Sequence, residues 1–250
     1  MILEAKNLCK VYGDVSKTSA LSNVSLGVNS GDFIAIMGPS GSGKSTLVNI
    51  LSGILKPTSG EVLINGKNIV EMNKFELSIF RRQNLGFVFQ EFNLLDNLTI
   101  YQNVVLPMVL DKKSKEEMYK KSNELMDFFE ISHIKDKYPY EISGGQAQRA
   151  AVARVLINSP SIIFADEPTG NLDSKSSNQV MTNFSRLNEE KNATILMVTH
   201  DVFAASFCKK VIFIKDGKIF MDINRKGSRK EFFDQILDCQ AIIGGKTNEF

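Results

Sequence analysis

A chain of 250 residues with 43% hydrophobic and 23% charged residues can bury a real core and is long enough for one large α/β domain or two small ones. Its 30 basic and 28 acidic residues leave a net charge of +2, a balance that gives no sign of a nucleic-acid partner. The longest runs free of Asp, Glu, Lys and Arg, 18–31 and 97–110, reach only 14 residues, short of the roughly 20 apolar residues that span a bilayer.

Other bulk features are equally plain. Cys9, Cys208 and Cys239 show neither a zinc spacing nor a paired framework. The opening MILEAKNLCK has no apolar core of the kind a secretion signal needs. The blocks 111–121 and 224–230 are mixed or short charge runs and read as solvated faces.

Along the chain, the first thirty residues carry strand patterning, as in VSLGV (24–28). FIAIM (33–37) is an apolar run of strand length, and TLVNILSGIL (46–55) places apolar residues at helical spacing. After the breaker cluster KPTSG (56–60), EVLINGKNIV (61–70) reads as a hairpin turning at Asn65-Gly66. LGFVFQ (85–90) is a further strand. From 91 to 155 the pattern becomes mostly helical, with Met118, Leu125, Met126 and Phe129 near one stripe. SIIFADE (161–167) and ATILMVTH (193–200) are strands that end in polar residues, with a helix expected over 174–190 between them. A closing hairpin (209–222) turns at Asp216-Gly217, and RKEFFDQILD (229–238) is expected to be helical.

Between the strand 33–37 and the helix after it stands GPSGSGKST. Gly38, Pro39, Ser40, Gly41, Ser42, Gly43, Lys44, Ser45 and Thr46 contribute nothing that could fill a core. The spacing G-x-x-x-x-G-K-[ST] is that of a phosphate-binding loop. Its backbone N–H groups surround an anion, Lys44 supplies a point charge for the β- and γ-phosphates, and the Ser45 hydroxyl can ligate Mg²⁺. Asp166 and Glu167 emerge at a strand end, where α/β sheets bind ligands. Asp166 could hold Mg²⁺ through a water, and Glu167 could polarise the water that attacks the γ-phosphate. In ISGGQAQRAAVARVL (142–156), Ser143 is a good helix N-cap, and Gly144 and Gly145 leave helix-start N–H groups open to an anion. Two phosphate-binding elements so far apart suggest that each serves a different copy of the chain.

Taken in order, Tyr12, GPSGSGKST, Gln90, ISGGQ, FADEPTGNLD and Thr199-His200 resemble the nucleotide-binding subunit of ABC transporters over roughly residues 2 to 222. That resemblance implies a P-loop NTPase core with an N-terminal antiparallel β lobe and an inserted helical subdomain. The expected layout is one domain over 1–250, with core and β lobe at about 1–90 and 156–228, the helical subdomain at about 91–155 and a C-terminal helix at about 229–250. ATP and Mg²⁺ are the implied cofactors. Tyr12 would stack on adenine, and residues 38–46 would form the Walker A loop. Gln90 would touch Mg²⁺ and report to the membrane partner. Ser143, Gly144, Gly145 and Gln146 would meet the nucleotide held by a second copy. Asp166 and Glu167 would complete Walker B, Asp173 would lie in the D-loop, and His200 would sense the γ-phosphate. The implied partners are a transmembrane permease, for which the exposed-looking apolar groups of 91–110 beside Gln90 are expected to form the docking groove, and a second copy of the chain in an ATP-dependent homodimer, at the cytoplasmic face of the membrane.

Two positions depart from the commoner pattern: Ile142 replaces Leu, and the D-loop reads GNLD where many importers have SALD. The rival P-loop classes fit less well. NKFE (73–76) lacks the Asp of a GTPase base-reading motif and precedes the Walker B strand. Only 52 residues, 91–142, separate Gln90 from Ser143, too few for the coiled coil of a DNA-repair ATPase. A translation-associated ABC protein would carry two cassettes. DEPTGNLDS looks like the group that holds macrolide exporters, lipoprotein-release systems, cell-division ABC proteins and bacitracin-type peptide transporters, and the C-terminal ending is most similar to the last. Resistance to, or export of, antimicrobial peptides is the function so implied, with lipoprotein release or cell division as the alternative. A sensor kinase reached through the permease is a further implied partner.

Overall fold

The computed structural model describes residues 1–13 and 16–244. Two sheets form the scaffold. The smaller is antiparallel in the order β2-β1-β4-β5, built from β1 (Leu3–Tyr12), β2 (Thr18–Val28), β4 (Ser59–Ile64) and β5 (Lys67–Asn68). The larger runs β10-β9-β3-β8-β7-β6 and comprises β3 (Phe33–Met37), β6 (Leu85–Val88), β7 (Ile162–Asp166), β8 (Ile195–Val198), β9 (Lys210–Lys215) and β10 (Lys218–Asn224). All its pairings are parallel except the β9–β10 hairpin.

Every residue of β3 is buried because the strand is covered on both faces. Ile34 and Ile36 join the core shared with the antiparallel sheet and α1 (Lys44–Leu51), whose Leu47, Val48, Ile50 and Leu51 lie within it. Phe33, Ala35 and Met37 point the other way into a helical core with Ile163, Ala165, Ile195 and Met197. That core is closed by α3 (Ile100–Leu110), α4 (Lys115–Phe128), α5 (Gly144–Leu156) and α6 (Ser174–Lys191). The short α7 (Val202–Ser206) packs on α8 (Arg229–Ile243), which buries Phe232, Ile236 and Ile243 in the same core. The helix expected over 229–238 is therefore longer, and residues 245–250 of the expected C-terminal region lie outside the described residues.

The structure adds one helix to the sequence expectations and revises one of them. The stretch NKFE is the start of a helix, α2 (Lys74–Asn84): the Asn73 side chain accepts from the N–H groups of Phe75 and Glu76, and the Glu76 carboxylate accepts from the Asn73 N–H. That capping box was legible in the four residues themselves. The apolar groups of 91–110 are also not mainly a surface, since Ile100, Val104, Val105 and Met108 are core. Leu95, Val109 and Leu110 remain exposed.

Asn103 fixes the segment between β6 and α3. It is fully buried, its Oδ1 accepts from the Leu95 N–H (2.8 Å), and its Nδ2 donates to the carbonyls of Leu95 (3.0 Å) and Leu98 (3.1 Å). A leucine there would keep the branched shape and strand those peptide groups. Leaving a buried group unsatisfied costs about 1–3 kcal/mol, so Asn103→Leu is expected to lower the urea midpoint accordingly. Limited proteolysis should then cut within 91–98 faster than in the parent protein.

Candidate functional site

The carboxyl ends of β3, β7 and β8 meet at one edge of the large sheet, and the turns leaving them line a cavity of about 380 Å³. Gly38, Ser40, Gly41, Gly43, Lys44, Ser45 and Thr46 face it, with Glu167 and His200 opposite. Two glycines make this turn possible. Gly38 has φ 149° and a Cβ there would collide with the Ile214 carbonyl; Gly43 has φ 103° and a Cβ would collide with the Ala20 carbonyl. Gly43 caps α1 in a left-handed conformation without any side-chain hydrogen bond. The first N–H groups of α1 are thus left for an anion.

The Lys44 ammonium donates to the carbonyl oxygens of Gly38 (2.9 Å) and Pro39 (2.8 Å), which holds it over the loop. Burial draws its pKa below the ordinary lysine value, while the Glu167 and Asp166 carboxylates oppose that shift. Burial raises the Asp166 pKa, the neighbouring Glu167 adds to the rise, and Lys44 counters it. Asp166 Oδ1 is buried with no hydrogen-bond partner, as is the Ser42 hydroxyl. Glu167 sits in a left-handed conformation at the strand end (φ 47°), held by its N–H to the Val198 carbonyl. His200 Nδ1 lies 2.8 Å from Glu167 Oε1.

A hydroxyl, a carboxylate and an amide oxygen form a hard donor set of the kind Mg²⁺ takes. The partnerless Asp166 oxygen, near enough to Lys44 to feel its charge, fits that ion. Among the described residues no group of three or more His, Cys, Asp or Glu is arranged to hold a metal alone.

The remaining predicted residues lie around this cavity or away from it. The Tyr12 hydroxyl is 3.4 Å from Thr46 Oγ1, and its ring is 43% exposed with the Lys10 ammonium 5.1 Å from the ring centroid. Gln90 follows β6 and meets the turn after β7, where its Nε2 donates to Asn171 Oδ1. Ser143, Gly144, Gly145 and Gln146 do not face the cavity. Gly144 instead lines a separate groove with Phe92, Leu94, Asp96 and Tyr140. Within this chain the ISGGQ stretch has local reasons for its residues. Ser143 and Gln146 form a reciprocal capping box, and a Cβ on Gly145 would press on the Ser176 side chain of α6. Gln146 Nε2 also comes within 3.4 Å of His133 Nε2. Asp173 caps α6, accepting from Lys175, Ser176 and the Ser176 hydroxyl; the hydroxyl bond leads in lowering its pKa.

Sequence reading overlooked two residues. Gln148 is fully buried and donates from Nε2 to the Pro168 carbonyl, joining α5 to the turn after β7. Asn171 ties the same turn to Gln90; the only sign of it in the sequence is the GNLD departure noted above.

Comparison with known proteins places this geometry. The family described as ABC transporter matches residues 21–170. The ABC transporter ATP-binding protein YvcR of Bacillus subtilis is 54% identical over 100% of this chain and 97% of its own length. The bacitracin export ATP-binding protein BceA of Halalkalibacterium halodurans is 48% identical over 99% of both chains. A structure of the cassette MJ0796 from Methanocaldococcus jannaschii, dimeric in a post-hydrolysis state with ADP and Pi, superposes with a TM-score of 0.82 at 41% identity. That match covers 90% of this chain and 99% of the other. The chain belongs to the ABC transporter family and is an ATP-hydrolysing ATP-binding subunit with the ABC ATPase fold.

Proposed function

We propose that this subunit hydrolyses MgATP with Glu167 as the water-orienting base, pairs with a second copy around two nucleotides, and drives a permease that handles antimicrobial peptides. The observation that carries the catalytic part is the Glu167–His200 pair facing the uncapped start of α1 across one cavity. The loop N–H groups and Lys44 hold the phosphates. Ser45, Asp166 and Gln90 would hold Mg²⁺, which when bound offsets phosphate charge. Glu167 accepts a proton from the attacking water as the bond to the departing ADP oxygen breaks, and His200 keeps the carboxylate oriented. Tyr12 offers a half-exposed ring to the adenine, and Asp173 starts the helix behind the D-loop.

Glu167→Gln is expected to retain ATP binding and to lower phosphate release by about 100-fold or more, the range of a lost general base. Lys44→Ala should instead weaken ATP binding by about 10-fold or more, as for other hydrogen bonds to charged groups. Equilibrium binding and phosphate release measured on both variants separate the roles; normal turnover by Glu167→Gln would move the base elsewhere.

Dimerisation follows from where ISGGQ lies. It does not face its own cavity, yet Gly144 has room for an added side chain, with its nearest neighbours Leu172 and Phe92 at 3.4 Å from a Cβ. Gly144→Asp suits a helix N-terminus but would set a carboxylate against the partner copy's γ-phosphate. Sedimentation should show Glu167→Gln dimerising with ATP and the Glu167→Gln/Gly144→Asp double variant remaining monomeric with nucleotide bound. A double variant that still dimerises would remove ISGGQ from the interface.

No described helix is long and apolar enough to cross a membrane, so the translocation path must come from a permease. In the macrolide export ATP-binding/permease protein MacB of Campylobacter jejuni, 42% identical, the match spans 35% of that chain. The groove of about 290 Å³ between the segment after Gln90 and the start of α5, rimmed by exposed Tyr140, is the proposed docking place. Cysteines at Asp96 or Tyr140 should cross-link to the permease in membranes, and cross-linking solely through the β9–β10 hairpin would place the contact at the opposite end. The peptide substrate class rests on the bacitracin export relative, whose match covers 99% of this chain and so has to include α8, whereas the MacB match covers 90%. A sensor kinase reached through that permease belongs to the same reading.

A further inference from the structure

Asn171 and Gln90 are held together twice. Asn171 Nδ2 donates to the Gln90 backbone carbonyl (3.3 Å), and Gln90 Nε2 donates to Asn171 Oδ1 (3.3 Å). A backbone carbonyl can only accept, so the first bond decides which end of the Asn171 amide faces it. The Asn171 oxygen must then face the Gln90 side chain, and it in turn selects the Gln90 nitrogen. The Gln90 Oε1 atom is left as the free end of the amide, and an oxygen is what a hard cation requires. Gly170 bounds the same side chain, because a Cβ there would lie 3.0 Å from Gln90 Nε2 and 3.3 Å from its Cδ. Its φ is not left-handed, so the absence of a side chain serves space and not backbone conformation.

We propose that Asn171 is a positioning residue for the Mg²⁺ site: it sets the Gln90 amide with its oxygen available to the cation, and Gly170 leaves room for that setting. Alanine at 171, as in the SALD pattern, would leave the amide free to rotate, with either end facing the site. The inference rests on the reading of Gln90 as a cation ligand. It adds a route between the turn after Walker B and the segment that leads to the proposed permease groove, with one hydrogen-bonded pair joining the two.

The test measures equilibrium binding of a fluorescent ATP analogue to the whole subunit, with Mg²⁺ titrated from none to saturation, and Mn²⁺ paramagnetic resonance of the same complexes. Asn171→Ala should leave metal-free nucleotide binding unchanged, which also reports an intact fold. The apparent affinity for the cation should fall by about tenfold, the low end for partners that orient a metal ligand. Gly170→Ala should act in the same direction by displacing Gln90. Asn171→Asp keeps the acceptor for Gln90 Nε2 but sets a carboxylate oxygen against the Gln90 carbonyl, so it should fail to restore the parent affinity. Gln90→Ala should match Asn171→Ala, and the double variant should be no worse than either alone. If Gln90→Ala weakens the cation and Asn171→Ala does not, the positioning role is overturned while Gln90 remains a ligand. If Gln90→Ala leaves cation binding untouched, the ligand reading falls and the role of Asn171 falls with it.

Discussion

The first turn of α1 carries peptide N–H groups that no side chain among the described residues caps. Each of the other seven α-helices among the described residues starts at an Asn, Thr, Ser or Asp whose side chain accepts from its own first turn. At α1 the capping position is Gly43, left-handed and without a side chain to offer. Free helix N-termini need a partner, and a polyphosphate supplies the acceptors along the direction in which the helix dipole favours negative charge. The surrounding structure can be understood from that unmet requirement. The fully buried β3 makes the loop start at a fixed height, and the Ile214 and Ala20 carbonyls close on the loop so tightly that only glycine fits at 38 and 43.

Opposite this positive cradle stand two carboxylates at the end of β7. Asp166 has lost water around one oxygen without gaining a hydrogen bond, a cost that a cation would offset. Glu167 is held in a left-handed backbone conformation, the sort of local strain that well-packed neighbours can sustain at a functional site. The turn that follows is tied to its neighbours by polar contacts of its own. Gln148 reaches it from α5 and Gln90 from the end of β6. That turn thereby joins the end of β7 to α5 and to the segment that follows β6.

Much of this was legible because the necessary residues are local. The loop 38–46 needs its glycines and lysine within nine positions, and the strand-end acids and hairpin turns are likewise short patterns. Helix α2 announces itself only through its Asn73–Glu76 capping box, because it buries just Phe80 and so carries little apolar periodicity. The apolar run 91–110 looked like a surface because a short segment does not show which side of its helix meets the core. Ile100, Val104 and Met108 turn inward; Val109 and Leu110 do not.

What the sequence alone determined is the chemistry of the loop, the pairing of acids at a strand end and the family to which their order belongs. These depend on residue type and spacing along the chain, which folding does not alter. Only the tertiary structure decided which groups meet across long intervals: Glu167 with His200, Gln148 with Pro168, and Gln90 with Asn171, 81 positions apart. A hydrogen bond is made or lost within a few tenths of an ångström. Residue order cannot set that distance, because it depends on how the β7 turn, the β6 exit and α5 pack together.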